Sequence, residues 1–430
     1  MIVSDSIGSP RLRRGIFHYT TQLMKALHRC GHHVTLLVEA PPLGRTSISA
    51  MARLAGIARP AWTAAQLGSI YNYLSRGANP QTLLASTRSL LGQYLGGAIS
   101  RRGGSRALTL HHDLGHVDYL AADLEHLRPV GDFLIMPTIY SGAILRALFG
   151  LRPTIVDARG FDTVIIDTPT HLGIESSSGA EIVAVIHDLI MLSEASVNQR
   201  WRRIFTNKLL TTIASANDFL FVSEATKTTF DGLFPDKARA EGGVLHPCPY
   251  ADLPAMAGAN SDHGSFVAIV NDEPRKNLDT LLDAFALLGD GQRLQVIGLA
   301  GASRRLAPDL VRRVTFHGYL SEEKKLQLLG ECSGIIVPSH AEGFGIPIVE
   351  GGMLGKAIFC SDLPVFREIA GDGAFYFDQT RPESIAAVLA AYCHGPEAHV
   401  GRVAETSKRL RERFGFNAFV ENVAQRFGKA

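Results

Sequence analysis

The segment Pro338–Glu350, PSHAEGFGIPIVE, constrains the fold of this chain more than any other segment. An apolar run precedes it, two glycines interrupt its polar first half, and Pro347 then opens an apolar stretch. This pattern predicts a strand, a glycine-bearing loop and a helix with Pro347 at or near its first position. Glycines let the backbone approach a ligand closely, and the free N–H groups of a helix start attract an anion. The segment therefore predicts an anion-binding site at the end of a strand.

Two carboxylates stand beside this predicted anion site. Glu342 lies in the loop and Glu350 about one turn into the helix, so both are expected to face the same cleft. Glu350 has apolar neighbours, among which an unpaired carboxylate would be costly, so a ligand role is favoured over an exposed helix position. A ligand with negative charge for the anion site and hydroxyl groups for the carboxylates, such as a nucleoside diphosphate sugar, satisfies both features.

Composition excludes several other classes of protein. The 430 residues include 43 Lys and Arg against 41 Asp and Glu, a balance that does not favour nucleic-acid binding. Five scattered cysteines without a CxxC pair argue against a disulfide framework and a zinc site, and favour a reducing cytosol. The first residues lack the apolar core of a signal peptide, and no apolar run reaches the roughly 18 residues of a membrane span. A soluble, cytoplasmic protein is the expectation.

Strand and helix patterns alternate along the chain, which predicts two parallel, doubly wound sheets. A break rich in proline and glycine at 243–264 predicts a linker, so we expect a first domain over 1–250 and a second over 251–430. The last helix, about 410–430, could cross back to the first domain. The predicted strands are Met1–Ser4, Val34–Val38, Phe133–Met136, Thr154–Val156, Val164–Ile166, Ile182–Ile186, Phe219–Val222, Ser265–Val270, Leu294–Ile297, Val314–Phe316, 334–337, Ala357–Cys360 and Phe375–Phe377.

Residues 41–104 are rich in Ala, Leu, Arg and Gly and predict two or three helices. One face, with Met51, Leu54 and Ile57, is expected to pack against the first domain. Contact with an anionic membrane surface is the alternative for this face.

The chemistry of a sugar nucleotide makes a further demand on the sequence. Breaking the bond between the sugar and the β-phosphate leaves negative charge that a metal or fixed cations must stabilise. No two aspartates are separated by one residue, so an Asp-x-Asp metal site is not supported. Arg275 and Lys276 precede a helix and would act with the helix start at 345–347, although by themselves they could be solvated residues. His187 follows a strand end, where active sites of α/β sheets lie, and a structural histidine is the alternative there.

Nearly the whole chain resembles the group 1 retaining glycosyltransferases (family 4, GT-B fold), in particular bacterial surface-polysaccharide mannosyltransferases. The second half carries the strongest match, in EPRKNLDTLLDAF, PSHAEGFGIPIVEGG and SDLPVFREIAGDGAFYFD. In the first half RRGIFHYTTQLMKAL, IHDLI and FVSEAT are similar to motifs of the family, and all occur in the expected order. The resemblance implies an α/β chain with two doubly wound Rossmann-like domains and an interdomain cleft.

The resemblance also implies roles for single residues. Arg275 and Lys276 would bind the donor phosphates, Glu350 would accept from the ribose hydroxyls, and Glu342 would contact the transferred sugar. His187 would touch the reacting sugar and, with Glu342, Arg275 and Lys276, form the catalytic set. The implied donor-binding set is Gly15, Arg275, Lys276, Gly318, Tyr319, Glu342, Gly343, Phe344, Gly345 and Glu350.

Two departures from the family pattern are informative. Phe17 and His18 stand where relatives often have Gly and Arg, which puts the phosphate contact of the first domain in doubt. Gly351 and Gly352 replace the common alanines. Because an interior glycine costs a helix about 1 kcal/mol, we expect a close backbone contact at these two positions.

The sequence thus predicts a retaining glycosyltransferase that needs neither metal nor cofactor and has no obvious covalent nucleophile. It would move a hexose, with mannose from GDP-mannose favoured, to a glycan or lipid-linked acceptor in polysaccharide or lipopolysaccharide synthesis. Peripheral membrane contact through the first domain stays open. The alternatives are a sugar-nucleotide epimerase on the same fold and a non-catalytic partner that retains the fold.

Overall fold

The computed structural model describes residues 1–4, 15–40, 125–137, 153–194, 197–237, 242–251, 262–299 and 308–428, together with residues 139, 140, 143, 147 and 306. The helices predicted within 41–104, and with them the face for which membrane contact was considered, lie outside the described residues. Residues 252–261 of the predicted linker do too.

Secondary-structure elements are numbered in chain order over the described residues. The strands are β1 Ile2–Val3, β2 Thr35–Ala40, β3 Asp132–Pro137, β4 Thr154–Asp157, β5 Thr163–Ile166, β6 Leu172–Glu175, β7 Glu181–Ile186, β8 Asp218–Phe221, β9 Gly243–Val244, β10 Asp262–Ile269, β11 Arg293–Ile297, β12 Val314–Phe316, β13 Cys332–Val337, β14 Ala357–Ser361 and β15 Phe375–Phe377. The helices are α1 Gly15–Arg29, α2 Ile190–Ser193, α3 Gln199–Ser215, α4 Glu224–Leu233, α5 Leu278–Leu287, α6 Glu322–Glu331, α7 Ile346–Met353, α8 Pro364–Ala370, α9 Pro382–His394, α10 Val400–Phe414 and α11 Phe416–Phe427.

The described residues form two compact units. Unit 1 draws on the segments 1–13, 33–185 and 204–218, and unit 2 on 14–32, 186–203 and 219–430. Unit 2 therefore combines the second half of the chain with the first helix and other segments of the first half. The domain boundary predicted near residue 250 does not coincide with these units and stays a prediction.

Unit 1 is built on parallel strands that lie side by side in the order β3-β2-β1-β5-β7. The register pairs Val3 with Leu37 on one side and with Ile166 on the other. A separate parallel pair, β4 and β6, accompanies this sheet. Side chains from these strands form one buried apolar cluster, as expected for strands rich in Val, Ile and Leu.

Unit 2 contains a six-stranded parallel sheet in the order β12-β11-β10-β13-β14-β15. Counted within this sheet, the order is 3-2-1-4-5-6, which is that of the doubly wound nucleotide-binding fold. The order reverses between β10 and β13, and ligands of such sheets bind beyond the carboxyl ends of the strands at this point. The loops after β10 and β13 are therefore the place to look for a site.

The sequence located most strands of the described residues correctly. All thirteen predicted strands are confirmed, with differences only at their ends, whereas β6 and β9 were missed. Serine caps two of the helices, because Ser223 accepts from the Thr226 N–H at the start of α4 and Ser321 from the Lys324 N–H at the start of α6. β9 has only two residues, and β6 is a run of four residues that includes a glycine. Neither strand is therefore long enough to show a clear alternation of apolar and polar residues.

The last helix packs against the first one. Arg29 Nη1 donates to Asn417 Oδ1 at 3.0 Å, and the Cys30 thiol donates to the Val420 carbonyl at 3.7 Å. The rings of Tyr19 and Phe419 meet edge to face at 6.1 Å. The chain end thus returns to α1, and both helices belong to unit 2.

Among the helices of the described residues, none combines the length and the apolar character that crossing a membrane requires.

Candidate active site

The loop after β13 and the start of α7 have the predicted form. Gly345 has φ of +105°, a backbone conformation that favours glycine, and its position would place a Cβ 2.8 Å from Phe366 Cε1. α7 begins at Ile346 with Pro347 in its first turn, so the predicted helix start is confirmed. Gly351 and Gly352 lie against side chains of other elements: a Cβ would overlap the Ile335 side chain at the first position and the Leu410 side chain at the second. The prediction of close contacts at these two glycines is confirmed as well.

Gly343 ties this loop to two other segments of unit 2. Its Cα lies so close to the His187 carbonyl oxygen that a Cβ would sit well inside van der Waals contact. Its own carbonyl accepts from Ser223 Oγ at 2.7 Å and from Thr226 Oγ1 at 3.1 Å. His187 and the start of α4 therefore fix the position of the loop that contains Glu342.

Arg275 and Lys276 meet Glu342 directly. They end a short 3₁₀ turn after β10, and the Glu342 carboxylate accepts from Lys276 Nζ at 2.5 Å and from Arg275 Nη1 at 3.1 Å. Ser339 Oγ donates to the same carboxylate at 2.8 Å. Burial alone would raise the pKa of Glu342, but the charges of Lys276 and Arg275 outweigh it and lower this pKa. The predicted cations and the first predicted glutamate thus form one cluster at the reversal point of the sheet.

The loops after β10 and β13 are held together by backbone groups as well. The His340 N–H donates to the Arg275 carbonyl at 2.8 Å. Asn277, with φ of 56°, donates through Nδ2 to the carbonyls of Pro338 at 2.9 Å and Gln379 at 2.7 Å. Sequence analysis missed Asn277, although asparagine is among the few residues that tolerate this conformation.

Glu350 is 3% exposed and has charged and polar partners. Its Oε1 accepts from Tyr250 Oη and from Lys325 Nζ, each at 2.8 Å. Lys325 also donates to Glu322 Oε2 at 2.9 Å. Sequence analysis found neither Tyr250 nor Lys325, since nothing in their local sequence indicates a partner that is distant along the chain.

Gly15 and His18 come from the first helix. A Cβ at Gly15 would lie 2.6 Å from Ile346 Cδ1, which places the start of α1 beside the start of α7. His18 Nε2 lies 3.4 Å from Glu322 Oε1. His18 therefore contacts a carboxylate at the start of α6, and the doubt about a phosphate contact in the first domain stays untested.

His187 packs its ring edge to face against Tyr19, with the centroids 5.0 Å apart. The next residue, Asp188, accepts from the Ile190 N–H at 3.1 Å. Burial raises the pKa of Asp188, and the nearby Arg275 offsets this rise only in part. His187 and the Arg275 cluster are therefore neighbours through Gly343 and Asp188.

Three residues of the predicted set that would bind the sugar-nucleotide donor remain: Phe344, Gly318 and Tyr319. Phe344 is 5% exposed, and its ring packs against His246 and Phe414, so its side chain belongs to the core. Gly318, with φ of +63°, donates to the Leu299 carbonyl and accepts from the Gly298 N–H. Tyr319 is 78% exposed and lies just past β12, two strands from β10 in the sheet order.

Within the described part of the chain, no group of three or more His, Cys, Asp or Glu side chains could hold a metal ion. The predicted independence of metals stays a prediction.

The fold seen here is the GT-B fold of glycosyltransferases, which confirms the predicted fold class. Sucrose-phosphate synthase from Thermosynechococcus elongatus has this fold and superposes with a TM-score of 0.61 at 13% identity, covering 99% of this chain and 97% of that one. Residues 254–413 match the family model described as Glycosyl transferases group 1. The second half of the chain is therefore similar to the group 1 glycosyltransferases, and the resemblance predicted from its motifs is confirmed.

Two curated relatives are mannosyltransferases. The serotype-specific mannosyltransferase WbdA of Escherichia coli is 32% identical over 144 residues, which cover 31% of this chain and 17% of WbdA. Phosphatidyl-myo-inositol mannosyltransferase of Mycolicibacterium smegmatis is 26% identical over 330 residues, covering 69% of this chain and 82% of that protein. The match therefore spans about a sixth of the length of WbdA and most of the length of the mycobacterial relative.

Proposed function

We propose that this protein is a retaining glycosyltransferase that moves a hexose from a nucleoside diphosphate sugar to a glycan or lipid-linked acceptor, without a metal ion. The observation that carries the proposal is the cluster of Arg275, Lys276 and Glu342 beside the start of α7, at the point where the sheet order reverses. The two cations and the carboxylate meet there within unit 2, and α7 begins four residues after Glu342.

Each part of the cluster has a role in the proposed reaction. When the sugar leaves, negative charge grows on the β-phosphate, and the two cations and the start of α7 stabilise it. Glu342 accepts from hydroxyls of the transferred sugar, and Glu350 from those of the ribose. His187 lies beside the sugar, and the leaving phosphate takes the proton of the acceptor hydroxyl.

Mannose is the sugar we propose, with GDP-mannose as the donor. This choice of sugar is supported by the two relatives, because both are named as mannosyltransferases. We propose a cytoplasmic site of action, where nucleotide sugars are made, and an acceptor that belongs to surface-polysaccharide synthesis.

The test is incubation of the protein with GDP-mannose, GDP-glucose, UDP-glucose and UDP-N-acetylglucosamine, with and without a lipid-linked glycan acceptor. We expect nucleotide release from GDP-mannose that depends on acceptor and persists in EDTA. Lys276→Met is expected to slow this release by about 10- to 100-fold, since a hydrogen bond to a charged group contributes about 1.5–3 kcal/mol. Lys227→Met, at a surface pair with Asp231, is the control and should leave the rate unchanged.

Other outcomes separate the alternatives. Isomerisation of the sugar nucleotide without acceptor would indicate an epimerase, and no reaction with any donor would indicate a non-catalytic protein. Loss of activity in EDTA that magnesium restores would contradict the metal-free mechanism.

A further inference from the structure

Among the described residues, hydrogen-bond donors reach only one of the two carboxylate oxygens of Glu350. Tyr250 Oη and Lys325 Nζ both donate to Oε1 at 2.8 Å, and among the residues that the structure describes no donor to Oε2 is found. Two donors on one oxygen fix the rotation of the carboxylate about its terminal bond, because turning it would break both hydrogen bonds. The orientation of Oε2 is thereby fixed as well.

Both groups that donate to Glu350 keep their protons. Burial lowers the pKa of Lys325, but the charges of Glu350 and Glu322 outweigh it and raise the pKa, so the ammonium keeps its proton. Burial, with the charge of Glu350 added, raises the pKa of Tyr250 far above its ordinary value, so the phenol stays a donor. A buried carboxylate with a cation at 2.8 Å also avoids the cost of an unpaired charge.

The three side chains come from separate elements of unit 2. Lys325 lies on α6, Glu350 on α7, and Tyr250 on the segment that follows β9. The Lys325 ammonium also lies 5.5 Å from the centre of the Tyr250 ring, so the two donors support each other.

We propose that Tyr250 and Lys325 are positioning residues, which hold Glu350 with Oε2 directed at the ribose hydroxyls of the nucleotide donor. This inference rests on the proposed function, in which Glu350 binds the ribose. The pair acts through Glu350 and needs no contact of its own with the donor.

A purely structural network would give the same contacts, so the test must depend on the ribose. We would measure by calorimetry the Kd of GDP and UDP, and of their 2′,3′-dideoxy forms, for the wild type and for Tyr250→Phe and Lys325→Met. We expect each variant to bind GDP or UDP about tenfold more weakly, the size of a typical coupling between contacting groups. Binding of the dideoxy forms is expected to change by less than about twofold, because the affected contact is already missing.

Matched controls separate this effect from lost stability. Tyr376→Phe removes a hydroxyl that bonds the carbonyls of Phe366 and Gly371, and Lys324→Met removes an ammonium on α6 that bonds Gln327. Both controls should bind GDP and UDP like the wild type. If Lys325→Met does not fold, Tyr250→Phe decides the question, since it removes one oxygen atom.

The outcomes distinguish the two proposals. Equal weakening of the ribose and dideoxy ligands, or no weakening of either, would overturn the positioning role while leaving the proposed function intact. If the wild type binds neither GDP nor UDP, the proposed function fails and this inference fails with it.

Discussion

At Gly343 the absence of a side chain is a requirement of the fold. The His187 carbonyl oxygen occupies the space that a Cβ would need, and Asp188 Cβ would lie 2.9 Å from that Cβ. The loop cannot shift freely, because the Gly343 carbonyl is held by Ser223 and Thr226. A larger residue at this position must therefore move the backbone that carries Glu342.

We expect Gly343→Ala to lower the free energy of unfolding by about 1–3 kcal/mol, the usual cost of overpacking, and to slow transfer at least about tenfold. Gly401→Ala is the matched control, because a Cβ at Gly401 in α10 has nothing within 4 Å and alanine favours a helix. Thermal unfolding and the donor assay measure the two effects. A Gly343→Ala protein as stable and active as the Gly401→Ala protein would contradict the requirement.

For single residues, the sequence identified the glutamates of the site but not the residues that pair with them. Glu342 and Glu350 stood out because they belong to one short segment with a strong local pattern. Their partners did not, since Tyr250 and Glu350 are 100 positions apart and Lys276 and Glu342 are 66 apart. The direct pairing of Lys276 with Glu342 depends on the sheet order, which local pattern does not determine.

Among the elements, α8 and α4 are joined through a carboxylate. Glu368 accepts from the N–H groups of Glu224 at 2.9 Å and Ala225 at 3.1 Å, and from His246 Nε2 at 2.9 Å. Burial would raise the pKa of Glu368, but these hydrogen bonds outweigh it and lower the pKa. Glu368 thus occupies the positive end of α4, the helix that holds the Gly343 carbonyl.

Glu368→Gln is expected to reduce the free energy of unfolding by about 1–2 kcal/mol, through loss of a charged partner at a helix N-terminus. Urea denaturation of this variant beside Glu405→Gln, an exposed position on α10, measures the difference. An equal midpoint for both variants would show that the α4–α8 connection contributes no stability.

Sequence patterns predicted which segments form helices and which form strands, but not how these elements are arranged in space. Apolar runs bounded by glycine and proline located the buried strands of unit 2, because such strands are apolar on both faces. The grouping of α1 with α11, the pairing of β4 with β6 and the choice of segments for unit 2 depend on long-range contacts. These features have no local signature.

On the scale of the whole molecule, several carboxylates make stability depend on pH. Burial would raise the pKa of Glu322, but hydrogen bonds and charges from His18 and Lys325 lower it from 4.5 to about 2. The pKa values of Glu342 and Glu368 are also lowered. A carboxyl group with a lowered folded pKa stabilises the fold above its unfolded pKa, and this contribution is lost as the pH falls through the folded pKa. Asp188, whose pKa is raised, acts in the opposite direction.

We therefore expect stability to fall as the pH decreases from 4.5 to about 2, the interval set by Glu322. Thermal unfolding in steps of pH measures this decline. Glu322→Gln should flatten it, and Glu405→Gln should not. A decline as steep in Glu322→Gln as in the wild type would exclude Glu322 as a source.

The pairing of Glu342 with both cations also bears on which solutes the protein can discriminate. The carboxylate is a built-in counter-ion, so any dissolved anion must replace a partner that the chain itself keeps at high local concentration. Chloride or acetate offers no more charge than Glu342 and competes poorly. A pyrophosphate carries several charges, and exchange then becomes favourable. For the proposed donor, we therefore expect Glu342 to favour binding of multivalent anions over the monovalent salts of the cell.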